Sequence, residues 1–374
     1  MPRIQSVATA VPATRVDQEL AVEFARAMFG DKIPDLERLL PLFANSGIRT
    51  RYFAAPQEWF FTSHDLAEKS ALYVKEATRL SAEAAGKALN KAGLTPENID
   101  YVIYVNTTGL ATPSIDARLI NVMGLRHDVR RTPIWGLGCA GGAAGLSHAY
   151  HYALGHPEAR ILVIATELCG LTFLPDDISK SNLVATALFG DGAAAAVVGG
   201  DRSGGAGLEI VDTRSRFYPD SLDVMGWTVL QEGLQVVFAQ RIPEIVEETS
   251  AEDIGSFLDS HGLKIADIGA FLLHPGGTKV MEAYQAALSL EARPGQPGTT
   301  GDAGVARLVQ LCSEQHSAGR SQKHGGTNLD QTGQGPARPD MARSRVGLPR
   351  AIAHATILAG EQHHPAGHGL RADL

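Results

Sequence analysis

All 23 aromatic residues of this 374-residue chain lie before residue 292, and the 83 residues that follow contain none. Aromatic side chains contribute much of the buried area of a folded core, so this break limits where a packed structure can form. From 292 onward the chain is rich in Gly, Pro, Gln, Arg and His, as in RPGQPGTTGDAG and SAGRSQKHGGTN. Lys and Arg exceed Asp and Glu there by 9 to 6, against 24 to 35 in the first 291 residues. Only VARLVQL and AIAHATILAG repeat apolar residues at short spacing. That is too little apolar surface to offset the entropy of ordering the segment. Residues 292–374 are therefore expected to be an aberrant, poorly ordered tail. An out-of-frame translation of a GC-rich gene starting near residues 291–294 would give this composition, and resequencing the DNA tests that origin.

Within residues 1–291 helical and strand patterns alternate. Residues 77–92 space small and apolar side chains at three and four, with Lys and Glu between, which predicts a helix. GLTPEN ends it, and IDYVIYV reads as a short buried strand. TPIWGLG is expected to be a strand entering a turn, AGGAAGLSHAYHYALG a helix and ARILVIATE another buried strand. Such alternation indicates an α/β layered fold. A weak repeat supports two similar halves: GLTPENIDYVIYVN (93–106) aligns with GLKIADIGAFLLHP (262–275), each after a helical stretch and each ending in an apolar run. The expected organisation is 1–205, 206–291 and the tail.

The net charge of -8 gives no basic footprint for nucleic acid. The N-terminus MPRIQSVATAVPA is too short and polar for a secretory or membrane-spanning segment, so a cytoplasmic location is expected. Three cysteines (139, 169 and 312) make no disulfide framework and read as thiols in a reducing compartment.

Cys139 stands between an expected strand and helix, among Gly136, Gly138, Gly141 and Gly142. Glycines permit a sharp turn, and a helix N-terminus favours a thiolate and can hold an oxyanion. A buried small residue on a glycine-rich turn is the plainer alternative. His274 stands at the end of AFLLHPGG, which is expected to be an apolar strand, and together Cys and His form a workable activated nucleophile. His148, His151 and His156 read as solvated residues on a helix face, with no metal expected.

The segments WGLGCAGGAAGL, ELCGLTF, ATALFGDGAAAAVV and LLHPGGTKVMEAYQAAL, with SVATAVP and SGIRTRYF before them, resemble the successive signatures of type III polyketide synthases. These are the chalcone synthase-like branch of the thiolase-like superfamily, and the resemblance runs over residues 4–291. It implies an α/β fold of αβαβα layers in two similar halves, the second incomplete at its C-terminus. Cys139 matches the acyl-accepting nucleophile and His274 its partner in thiolate formation and decarboxylation. Phe189 matches a gatekeeper aromatic, and Cys169 and Thr172 match cavity-lining positions. Thr112 falls in a loop resembling the one that reaches the partner subunit's cavity. Val236 stands where plant members carry a second gatekeeper Phe, implying room for an aliphatic starter. Arg49 and Arg51 are candidates to meet coenzyme A phosphates, since guanidinium suits phosphate geometry.

The implied reaction loads a starter acyl-CoA on Cys139, extends it with decarboxylating malonyl-CoA and cyclises the product. It needs no cofactor and runs in a homodimer. A ketoacyl synthase III-like enzyme using a carrier protein, or an inactive product, are the rival readings. The family's third catalytic residue, an Asn in Gly-Asn-Met-Ser-Ser, has no counterpart here. Asn328 sits in HGGTNLDQ without a strand behind it, and TGQGPAR matches the family's closing loop only superficially.

Overall fold

The computed structural model describes residues 1–290 and the backbone of 356–360. A seven-stranded mixed sheet runs in the order β11-β8-β1-β7-β6-β4-β5. Its strands are β1 (Arg3–Ala10), β4 (Tyr101–Asn106), β5 (Arg130–Trp135), β6 (Arg160–Leu168), β7 (Asp191–Gly199), β8 (Leu208–Arg214) and β11 (Thr356–Gly360). Two antiparallel pairs stand apart from it: β2 (Thr14–Asp17) with β3 (Thr50–Phe53), and β9 (Met225–Val229) with β10 (Leu234–Phe238). β4 is parallel to both β5 and β6, and β7 is antiparallel to β6 and β1.

The sheet is covered on both faces, which is why its central strands read as unbroken apolar runs. Successive β4 residues alternate between two cores: Val102 and Tyr104 join α4 (Leu66–Ala92) on one face. Ile103 and Val105 join α6 (Gly141–Gly155) on the other. β7, DGAAAAVVG, is buried along its whole length, its alanines letting a helix approach from either side. α4 starts eleven residues before the expected position, at an Asp65 capping box closed by Glu68.

After β8 the chain forms the β9–β10 hairpin, then α8 (Ile242–Asp259) and α9 (Thr278–Leu288), which pack on each other through Val246, Phe257, Val280 and Tyr284. One expectation is corrected here. The run AFLLHPGG forms no strand: residues 268–277 carry neither helix nor strand. A strand exists only with a ladder partner, and among the described residues no strand lies beside this run. Part of AIAHATILAG supplies the edge strand β11, antiparallel to β8. The remaining expectations for the tail lie outside the described residues. Among those described, no helix is long and apolar enough to cross a membrane.

Candidate active site

β5 delivers the chain to a sharp elbow. Gly136 and Gly138 take φ of +91° and +52°, values that a side chain would strain. A single 3₁₀ turn, Gly138–Ala140, then carries Cys139 to the start of α6, which no side chain caps. The first-turn amides and the positive end of the helix are thus left beside the sulfur. Gly141 is required for a second reason: a Cβ there would stand 2.5 Å from Val105 Cγ1, so only glycine lets the elbow lie against β4.

The elbow is tied from behind. The Gly138 amide donates to Thr107 Oγ1 at 2.9 Å. The amides of Thr107 and Thr108 each donate to Glu167 Oε2 at 3.0 Å, and Thr108 Oγ1 donates to the same oxygen at 2.6 Å. Glu167, at the end of β6, is 3% exposed, and burial pushes its carboxyl up to about 7. Sequence reading missed it; the only signal was a carboxylate closing the apolar run ARILVIATE.

Cys139, Glu167 and His274 all line one cavity of about 460 Å³. The N-terminal sheet supplies the first two, and the unpaired run before α9 supplies the third. Trp135, Phe189, Trp227, Phe238 and Val246 make the rest of the wall mostly apolar. Half-buried Cys139 faces this space. A thiol, an imidazole, a carboxyl and a row of amides in a largely apolar cavity can form and protect an acyl thioester.

A second cavity of about 300 Å³ lies alongside, lined by Phe24, Phe53, Phe60, Phe61 and Phe173 among others. Cys169, Phe189 and Val236 line both cavities, and all three are buried in one packed cluster. Phe189 packs edge-to-face on Trp227 with ring centroids 6.2 Å apart. Thr172 lines the second cavity and donates its hydroxyl to Cys169 O at 2.8 Å. Burial raises the Cys169 thiol well above its usual range, so it stays neutral.

Arg51 lies deeper than Arg49. It is 2% exposed, and its Nη1 donates to the carbonyls of Thr186 and, at 3.0 Å, Phe189. Burial lowers the guanidinium to about 10, with the Asp191 charge opposing. Asp191 itself accepts the amides of Ala54 and Gly170 and is raised to about 7 by burial. A cation bonded to these two carbonyls holds the Phe189 turn, and Arg51 also lines the second cavity. Arg49 is exposed, as is Thr112 on the loop after β4, and neither lines either cavity.

Comparison with known proteins bears on this geometry. Residues 2–202 match the family described as chalcone and stilbene synthases, N-terminal domain. A protein of Bacillus subtilis (strain 168) named as a chalcone synthase is 43% identical over 303 residues, 78% of this chain and 83% of that one. The 1,3,6,8-tetrahydroxynaphthalene synthase of Streptomyces peucetius subsp. caesius is 42% identical over 290 residues, 77% of each chain. The crystal structure of the Streptomyces coelicolor A3(2) tetrahydroxynaphthalene synthase, a bacterial type III polyketide synthase, superposes with a TM-score of 0.75 at 29% identity. It covers 83% of this chain and 89% of that one.

Proposed function

From the premise that this chain belongs to the type III polyketide synthases, we propose that it condenses a starter acyl-CoA with malonyl-CoA and cyclises the product. The observation that carries this reading is the shared cavity of Cys139 and His274. The Cys139 thiolate attacks the starter thioester, and coenzyme A leaves as its thiol after taking a proton. Malonyl-CoA loses CO2 beside the His274 imidazole, and the resulting enolate carbon attacks the acyl carbonyl and expels the Cys139 thiolate, leaving a β-ketoacyl-CoA. The lengthened coenzyme A thioester passes its chain back to the Cys139 thiolate with release of coenzyme A, and ring closure of the final chain, which frees it from its thioester, ends the cycle. Amides at the start of α6 stabilise the tetrahedral oxyanion. The family's Asn has no counterpart in the sequence, so one donor is lost from decarboxylation, at a cost of about 10²–10³ in rate.

Phe189 and Val236 act as the gate, and Cys169 and Thr172 shape the space behind it. The adjoining apolar cavity supports an aliphatic starter, because the smaller Val236 forms part of the shared wall. A homodimer is supported by the edge position of β5, with Trp135 47% and Leu137 46% exposed on the path to the nucleophile. Thr112, exposed on the loop whose Gly109 carbonyl accepts from Trp135 Nε1 at 3.1 Å, is the residue offered to the partner. Arg49 and Arg51 are the candidates for a coenzyme A phosphate.

The test is to incubate purified protein with malonyl-CoA and acyl-CoAs of increasing chain length, reading intact mass and released products. An acyl adduct on Cys139 and a cyclic product are expected. Loading from acyl carrier protein alone would favour the ketoacyl synthase reading, and no adduct from any donor would favour an inactive chain.

A further inference from the structure

The reaction cavity has one wall of unusual construction. Met225, Gly226, Trp227, Val236 and Phe238 all come from the β9–β10 hairpin, which pairs with no third strand among the described residues. A lone two-stranded hairpin is marginal in water, so something must hold it. Side chains fasten β10: Gln235 Nε2 donates to Asp177 Oδ2 at 3.2 Å and Ser181 Oγ to Phe238 O at 3.3 Å. At the turn, the holding group is the ammonium of Lys69, from the first turns of α4. It donates to Glu232 O at 2.9 Å and to Phe173 O at 3.0 Å. Phe173 directly follows the 3₁₀ helix Cys169–Thr172, which supplies Cys169 to the same cavity.

Lys69 is 6% exposed. The turn is shaped to receive it, because Gly233 has φ +141° and a Cβ there would come within 3.0 Å of Nζ. A buried ammonium at this position is costly unless its hydrogen bonds are made, and both go to backbone carbonyls that tie two cavity walls together.

We propose that Lys69 is a positioning residue that fixes the β9–β10 wall and so sets how long a chain the cavity accepts. The clasp stands on geometry alone; its effect on chain length rests on the polyketide reading above. Around Nζ, the hairpin presents Glu232 as its charged group, α4 presents Tyr73, which lines a further small cavity with Lys69 and Gly233, and the segment after β6 presents the Phe173 carbonyl. Burial draws Lys69 down to about 8, with Glu232 opposing.

The experiment is hydrogen–deuterium exchange on the full chain, comparing wild type with Lys69→Met and Lys69→Arg. Losing charge-assisted bonds should speed exchange of amides 225–238 about tenfold or more in Lys69→Met, leaving β7 amides unchanged. Lys69→Arg should keep the protection. After correction for intrinsic rates, wild-type protection should step down near pH 8, and Lys69→Met should show no step. With malonyl-CoA and decanoyl-CoA as probes, Lys69→Met should shift the products toward longer chains. Unchanged exchange at 225–238, or equal loosening of β7, overturns the clasp. An unchanged product distribution with a loosened hairpin overturns the chain-length claim. A wild-type protein that makes no product overturns the polyketide reading while the exchange data still judge the clasp.

Discussion

The repeated segments at 93–106 and 262–275 fold alike up to a single point and then part. Each follows a helix, α4 or α8. Gly93 and Gly262 take φ of +67° and +66°, and the next amides, of Leu94 and Leu263, return to Leu89 O and Leu258 O at 3.0 Å. Both continue into a 3₁₀ turn whose first amide donates to a side chain three residues on, Thr95 N to Asn98 Oδ1 at 2.8 Å in one and Lys264 N to Asp267 Oδ2 at 2.9 Å in the other. Beyond Ile99 the first copy becomes β4, laddered on both sides. The second, beyond Ile268, stays irregular. Local chemistry therefore writes the cap and the turn twice, but a strand needs neighbours, and only the first copy has them among the described residues. The lesson reaches function, because His274 sits on the copy without a ladder.

The sharpest break in this comparison is catalytic. If the two regions meet as one site, the nucleophile is indispensable and the imidazole contributes less. Cys139→Ala should abolish the acyl adduct in intact mass and lower turnover by about 10³-fold or more. His274→Gln should still form the adduct, with loading and extension slowed by about 10²–10⁴. Equal activity of His274→Gln and wild type would mean that the second region does not serve the sulfur.

The next test weighs the two strands themselves. Ile103 is fully buried beneath α6, while its repeat partner Leu272 is 6% exposed on an unladdered run. Ile103→Ala should cost about 2–5 kcal/mol in denaturant unfolding, and Leu272→Ala at least about 1 kcal/mol less. Comparable losses would mean that the second copy is packed as firmly as the first.

The same contrast marks what the sequence made legible. IDYVIYV and ARILVIATE emerged as strands because buried parallel strands are unbroken apolar runs, and Cys139 emerged because glycines crowd a strand-to-helix elbow. AFLLHPGG carries the same apolar signature as β4, yet pairing is a property of two segments and one run cannot report it. The start of α4 was hidden because its first turns, LAEKSALY, mix charged and apolar residues without the clear spacing of 77–92. Glu167 and Arg51 were hidden for a related reason. A charged residue reads as solvated until the fold shows which side of a strand it occupies, and here both point inward, where hydrogen bonds offset much of their desolvation.

That buried charge belongs to the first region and gives it a pH dependence. Glu167 has a folded value of about 7, above its ordinary 4.5, with burial the leading cause. The stability it confers is complete below pH 4.5 and is lost as pH rises through about 7, on the order of 3 kcal/mol in total. Melting curves between pH 4.5 and 8 should show this decline in wild type and a flatter one in Glu167→Gln. An identical slope in both proteins would place the titration elsewhere.

The smallest effect tests the part of the comparison where the copies agree. Gly93 and Gly262 close their helices in the same left-handed conformation, and a Cβ at either would meet nothing within 4 Å. Crowding is thus excluded, and substitution by Ala exposes only the backbone cost of holding an L-residue at positive φ, about 1 kcal/mol. Gly93→Ala should lose this in full, since α4 unfolds only with the sheet. Gly262→Ala should lose as much if α8 and α9 unfold in the same transition. A Gly262→Ala protein whose main unfolding transition matches wild type would show that the second region opens separately, so that His274 reaches the sulfur only while a weaker unit stays closed.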